Sequence, residues 1–298
     1  MKIAITGGTG FVGKQLTDEL VKQKHDVYIL TRSPERHQDT SQVRYVGWLK
    51  EEYHPEQELP QLDAIVNLAG DSLFGYWTKT KKDRILSSRI KATENVVDLI
   101  KQMEKKPQVL VNASAIGYYG TSTTDSFTEN TTASGDDFLA HVTKKWEQTA
   151  KAAESYGVRT VYARFGIILG SEGALPMMTM PFKLMVGGKV GTGQQWMSWI
   201  HISDVVGLIL FAINNNQIEG ALNAVAPNPV RNKEFSQMIA KVMHRPYWLP
   251  APSFAMKTVL GDMSMLVLKG QHVIPEKATL QHYSFNYPTL EDALENIL

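Results

Sequence analysis

The sequence predicts a doubly wound, parallel α/β sheet with a smaller C-terminal lobe. Three observations predict it: a glycine loop set directly between a strand and a helix, a regular alternation of short apolar runs with helix-like segments, and a change of texture after Gly170. Strands alternating with helices of this length imply right-handed parallel crossovers, which build an open sheet covered on both faces.

Each element follows in turn. Lys2 to Thr6 (KIAIT) reads as a buried strand, and Phe11 to Lys24 as an amphipathic helix. Asp26 to Thr31 is the next strand, Val43 to Trp48 a weaker one, and Asp63 to Ala69 a fourth. A long polar helix then ends near Lys106, Pro107 to Ala113 forms another strand, Asp136 to Tyr156 another helix, and Arg159 to Arg164 a sixth strand. After Gly170, glycine and proline cluster, and only His201 to Asn214 and Ala221 to Ala226 return to the helix-then-strand rhythm. The expected organisation is a dinucleotide-binding domain over residues 1–170, with 201–226 returning to it. Residues 171–200 and 227–298 form a smaller substrate lobe at the carboxyl edge of the sheet.

Bulk properties narrow the function. The 298 residues carry a net charge of +1, which argues against a large footprint for nucleic acid or an anionic membrane, though it leaves room for a local basic patch. There is no cysteine, which removes disulfides, thiolate nucleophiles and thiolate-bound metals and fits a reducing, cytoplasmic setting. No secretory leader pattern precedes the first strand, and Ile200 to Ile213 is too short and polar to span a bilayer. The histidines show no metal-ligand spacing, so no metal site is expected.

Gly7, Gly10 and Gly13 stand in TGGTGFVG, spaced G-x-x-G-x-x-G. Such glycines give a tight turn, a close backbone approach to a pyrophosphate and close helix–strand packing. Phe11, Val12 and Gly13 then open a helix, whose first amides face the phosphates with the positive end of the dipole. This makes the sheet a Rossmann-type fold. At the end of the second strand, an acidic residue would select NAD. This chain has Thr31, then Arg32 and Arg36, and a guanidinium there pairs with a 2′-phosphate, so NADP(H) is the expected cofactor.

Here the chain resembles the short-chain dehydrogenase/reductase superfamily in its extended, atypical form. More narrowly, it resembles an epimerase-like subfamily that ends in a domain of unknown function. TGGTGFVG, NLAG (Asn67 to Gly70), RFGIILG (Arg164 to Gly170), ASAIGYYG, WEQTAKAAESYGV, GTGQQWMSWIHISDV and NAVAPNPV carry the resemblance. It implies that Leu68, Ala69 and Gly70 line the adenosine, that Arg89 reaches a phosphate or ribose, and that backbone at Gly166 and Ile167 faces the nicotinamide. It also implies a homodimer through two helices flanking the sheet.

The resemblance breaks at the chemistry. Catalytic relatives use Tyr-x-x-x-Lys with a nearby hydroxyl, yet no tyrosine here is followed by lysine four residues later. Ungapped counting places Phe138 and Val142 at those positions and Ala115 at the hydroxyl. The remaining proton-carrying groups are Ser114, Tyr118, Tyr119 and the His141–Lys145 pair, which has the right helical spacing. Met197 stands where nucleotide-sugar enzymes carry a diphosphate-binding arginine, so a nucleotide sugar is not expected. Gln194, Gln195, Trp196 and Trp199 point to an aromatic, amide-lined site, while His201 and Asp204 are expected to cap and anchor the following helix. Two readings follow: an NADP(H)-dependent oxidoreductase or epimerase with a rearranged proton donor, acting on a small carbonyl or alcohol, or a non-catalytic NADP(H)-binding redox sensor or scaffold.

Overall fold

The computed structural model covers residues 1–298. Seven strands form the central sheet: β1 (Lys2–Thr6), β2 (Asp26–Thr31), β3 (Val43–Gly47), β4 (Ala64–Asn67), β5 (Val109–Ala115), β6 (Arg159–Phe165) and β7 (Gly220–Ala224). They lie in the order β3-β2-β1-β4-β5-β6-β7, and every pairing is parallel. The order reverses between β1 and β4. Their carboxyl ends diverge there, into loops that leave on opposite faces, and a crevice opens.

Apolar residues on neighbouring strand positions cover opposite faces, as a period of two requires. Ile3, Ile5 and Ile29 pack with Leu16 and Leu20 of α1 (Phe11–Lys22). Ala4, Tyr28 and Ile65 pack with Val96 and Ile100 of α2 (Lys79–Gln102) and Ala150 of α3 (Phe138–Lys151). A fourth helix, α4 (Ile202–Asn214), lies beside α1 and buries Val205, Leu208 and Ile209 on its face of the sheet. Each such aliphatic side chain removed from water contributes about 1.5–3 kcal/mol. Thr78 caps α2 by accepting from the Lys81 amide, and Asp137 caps α3 by accepting from Ala140. The helix expected to reach Tyr156 does so only by tightening into a 3-10 turn over Ala152–Tyr156, closed by Gly157 with φ of +77°.

The remaining chain builds a second core around fully buried Trp199 and Phe235, with Phe182, Met197, Leu290 and Leu294. Beyond it, the short helices Ser253–Leu260 and Met265–Leu268 run back towards the sheet, and Met263 between them packs on Trp77, Ile85 and Val142. No helix is long and apolar enough to cross a membrane, and no three metal-ligating side chains gather.

Candidate functional site

At the switch point, the loop after β1 is shaped by backbone contacts that only glycine permits. Gly7 has φ of +69°, and a Cβ there would lie 2.9 Å from the Leu68 carbonyl. The Gly7 carbonyl accepts from the Gly10 amide at 3.0 Å, and a Cβ on Gly13 would lie 2.3 Å from that same oxygen. A Cβ on Gly10 would meet nothing but the Gly7 oxygen, at 3.3 Å, so the loop is open on the side from which an anion approaches. The amides of Phe11, Val12 and Gly13 lie in the first turn of α1, where a helix supplies no partner of its own. This cradle fits a pyrophosphate. The Phe11 ring lies under Gly170 and Gly173, which ties the loop to the segment after β6.

Thr31 is half-buried at the end of β2, and Arg32 and Arg36 are exposed beyond it. Neither arginine forms an ion pair within the chain. Leu68 and Ala69 are positioned by Thr6, whose hydroxyl accepts both their amides at 3.1 and 3.2 Å and donates to Asn67 Oδ1 at 2.6 Å. Asn67 Nδ2 donates to Asn112 Oδ1 at 2.6 Å and to Thr93 Oγ1 at 2.9 Å. Thr93 Oγ1 also accepts from Trp146 Nε1 at 2.9 Å and donates to the Arg89 carbonyl at 2.8 Å, so its one donor and two acceptor sites are all used. This buried network was not foreseen from the sequence. The signal for it was polar residues, Thr6, Asn67 and Asn112, set inside otherwise apolar strand runs.

Arg89 is not a free helix charge. It donates to the carbonyls of Asp71 and Ile85 at 3.0 and 2.9 Å, faces the Trp146 ring at 5.1 Å, and lies close enough to Gly70 that a Cβ there would sit 3.2 Å from it. Burial lowers its pKa to about 10, so it remains a cation at neutral pH.

A second cluster stands at the ends of β5 and β6. Ser114 is buried and donates to Glu147 Oε1 at 2.6 Å. Arg164 donates to both oxygens of Glu147 at 2.8 Å, a bidentate pair between two buried side chains. The Arg164 guanidinium lies 3.5 Å from the centre of the Tyr118 ring and 4.9 Å from that of Tyr119. The Tyr119 hydroxyl is buried and donates to Asn223 Oδ1 at 2.7 Å, and burial holds its phenol in the protonated form to higher pH than usual. Tyr118 is half-buried, and its hydroxyl donates to the Thr132 carbonyl at 3.1 Å. All three hydroxyls have partners within the chain, but Ser114 and Tyr119 are buried, and Tyr118 is the more accessible phenol.

His141 and Lys145 stand apart from this cluster, which corrects the expectation for that pair. α3 turns Val142, Thr143, Trp146 and Glu147 inward, so both residues face solvent, with Lys145 lining an open groove between α2 and α3 beside Asp83 and Ile90. Phe138 and Val142 join an apolar cluster with Trp77, whose ring meets Phe138 edge-on at 5.4 Å. The amides of Gly166 and Ile167 donate to the carbonyls of Ala224 and Ser198, which leaves neither amide free for a ligand. A Cβ on Gly166 would lie 2.4 Å from the Ser198 oxygen, so this glycine serves a strand crossing.

The lobe corrects the expected lining for Gln195 and Trp199. Gln195 is buried and bonded to the Val190 and Val267 carbonyls, and Trp199 lies in the lobe core with Met197. Trp196 is half-buried, with the Arg231 guanidinium 3.6 Å from its ring centre and the His272 ring at 4.3 Å. His201 caps α4 by accepting from the Ser203 amide at 3.1 Å. Asp204 is fully buried and accepts from the Asn286 and Tyr287 amides at 2.7 and 3.0 Å and from the Tyr283 hydroxyl at 3.3 Å.

Comparison with known proteins agrees with this architecture. Residues 3–224 match the model of the NAD dependent epimerase/dehydratase family, and residues 251–297 match a domain of unknown function, DUF1731. The epimerase family protein YfhF of Bacillus subtilis (strain 168) is 49% identical over 298 residues, covering 100% of this chain and 98% of the relative. The crystal structure of human epimerase family protein SDR39U1 (isoform2) with NADPH superposes with a TM-score of 0.87 at 31% identity, covering 100% of this chain and 99% of that one. A nucleoside-diphosphate sugar epimerase from Corynebacterium glutamicum gives a TM-score of 0.78 at 30% identity, over 99% of this chain and 57% of its own length. The chain belongs to the NAD-dependent epimerase/dehydratase family, in its epimerase-like branch of atypical short-chain dehydrogenase/reductases, with the nicotinamide-dinucleotide-binding fold of that family.

Proposed function

We propose that this family member is an NADP(H)-dependent oxidoreductase or epimerase acting on a small carbonyl or alcohol, with Tyr118 carrying the proton. When bound, the dinucleotide supplies or accepts the hydride. Gly7, Gly10, Phe11, Val12 and Gly13 would hold the pyrophosphate, and Leu68, Ala69 and Gly70 the adenosine side. Arg89, charged and set against Gly70, would reach a phosphate or ribose oxygen. Two unpaired guanidiniums beyond Thr31, those of Arg32 and Arg36, favour a 2′-phosphate, and the NADPH bound in the human relative's structure supports that choice. Gly166 would face the nicotinamide through its carbonyl and Ile167 through its carbonyl and side chain, since both amides are engaged.

The observation that carries the catalytic reading is the stack of Tyr118 on Arg164. As a carbonyl is reduced, the Tyr118 hydroxyl gives its proton to the substrate oxygen, and the guanidinium beneath the ring stabilises the negative charge left on the phenol. In the reverse direction the same oxygen takes the proton back. Glu147 is a positioning residue: it fixes Arg164 through both of its oxygens. Met197, buried in the lobe core where an arginine would bind a diphosphate, argues for a substrate other than a nucleotide sugar.

A second reading, a non-catalytic NADP(H) sensor or scaffold, draws on Ala115, Phe138 and Val142, which cannot exchange a proton at the positions catalytic relatives use. NADPH oxidation with a panel of aldehydes and ketones separates the two. The first reading expects turnover that Tyr118→Phe reduces at least about 100-fold, within the range for a lost general acid, with NADPH affinity retained. Full turnover in Tyr118→Phe overturns the assignment, and tight NADPH binding without turnover on any carbonyl selects the sensor.

A further inference from the structure

The whole-chain charge of +1 conceals an uneven surface. Residues 173–203 contain no aspartate or glutamate, nor do residues 235–261. The structure brings parts of these two stretches side by side. The Trp248 indole donates to the Met185 carbonyl at 2.8 Å, the Trp248 and Leu249 amides both donate to Gly187, and the Ala251 amide donates to Lys189.

The side chains displayed along this seam are apolar and wet. Leu184 is 66% exposed, Trp248 62% and Met180 56%, with Met185, Leu249 and Val186 exposed beside them. Met180 and Leu184 are four residues apart, on one face of the helix Leu175–Lys183 and the turn that ends it. A contiguous face of this kind on a soluble domain marks an interaction site, because exposed large apolar residues are otherwise scattered singly. Lys183 and Arg245 are exposed next to it in sequence and form no ion pair.

We propose that this face docks the protein peripherally on an anionic lipid surface. Its chemistry is that of an interfacial contact: aliphatic side chains and one tryptophan that would enter the acyl boundary, with Lys183 and Arg245, their exposed neighbours in sequence, to meet anionic headgroups. A second copy of the chain fits less well, since a two-fold contact would set this face against the same face of its partner, cations on both sides, with no carboxylate from either stretch to neutralise them. Nucleic acid fits less well too, because the centre of the face is aliphatic and offers the phosphates no donors. The inference is independent of the reaction proposed above.

The test is co-sedimentation of the full chain with vesicles of equal parts phosphatidylglycerol and phosphatidylcholine, against vesicles of phosphatidylcholine alone. Binding to the mixed vesicles that weakens with added salt is the expected result. Lys183→Glu and Arg245→Glu should each weaken it about tenfold, and Leu184→Ser with Trp248→Ser should abolish it. The charge replacements should leave the thermal unfolding midpoint unchanged, and so should Leu184→Ser alone, which keeps the Trp248 bond to Met185 and should still weaken binding. Failure to sediment with the mixed vesicles, or equal sedimentation of the variants, overturns the proposal. So does an ultracentrifuge result in which Leu184→Ser with Trp248→Ser converts a dimer to a monomer, which would give the face to a second copy.

Discussion

The crevice at the carboxyl edge of the sheet has two halves, built by different means. Below β1, β2 and β4 it is made of backbone: a loop whose Gly7 and Gly13 admit no Cβ, and the first amides of α1. Below β5 and β6 it is made of side chains: Ser114, Glu147, Arg164, Tyr118 and Tyr119, gathered from four separate segments. A backbone site depends on local conformation and survives most changes around it. A side-chain site depends on partners far apart in the chain, and one replacement strands the rest.

The largest expected effect therefore lies in the second half. Glu147→Ala leaves the Arg164 cation buried without its carboxylate and should cost about 3–5 kcal/mol of stability, read by denaturant unfolding. A cost below about 1 kcal/mol would show that the pair is not the keystone of this half.

In the first half, Gly13→Val should leave the sheet folded but push α1 away from Gly7. NADPH affinity should fall about 100-fold, roughly 2.7 kcal/mol, as the amide contacts to phosphate are lost. A fluorescence titration measures it, and unchanged affinity would undo the comparison. Smaller still, Arg32→Ala and Arg36→Ala should each weaken NADPH by about tenfold, roughly 1.4 kcal/mol, with NADH affinity unmoved. An equal loss for both nucleotides would mean that the arginines steer anions in general.

The smallest effect is one of pH. Burial holds the His201 pKa below its ordinary value, against the opposing pulls of Asp204 and Asn296, and the ring accepts the Ser203 amide as the cap of α4. The unfolded chain then binds the extra proton more readily, so stability is fully present above the unfolded value of about 6.5 and is lost as pH falls through it. Wild type should lose more stability between pH 7.5 and about 5.5 than His201→Asn, which caps without titrating. Parallel pH profiles would remove His201 from the account.

The same contrast explains what the sequence could disclose. The glycine loop and the strand–helix rhythm were legible because they are local, and the family match over residues 3–224 agrees with them. The partners of Arg164 were not, since Glu147 lies 17 residues away and Ser114 a further 33. His141 and Lys145 show the limit of periodicity. A spacing of four places two residues on one helix face without saying which face meets the sheet. Val142, Trp146 and Ala150, apolar at the same spacing, identify the inward side as the neighbouring one.

Asp204 ties a helix of the sheet to a stretch of chain some eighty residues further on. This carboxylate belongs to a helix laid on the sheet, yet every donor it accepts from lies between Tyr283 and Tyr287. Without that stretch the carboxylate loses every protein donor it has and must be left to water, so α4 should pack on the sheet less firmly. A truncation that spares every residue of the crevice but stops short of Tyr283 would therefore damage the nucleotide-binding half from a distance.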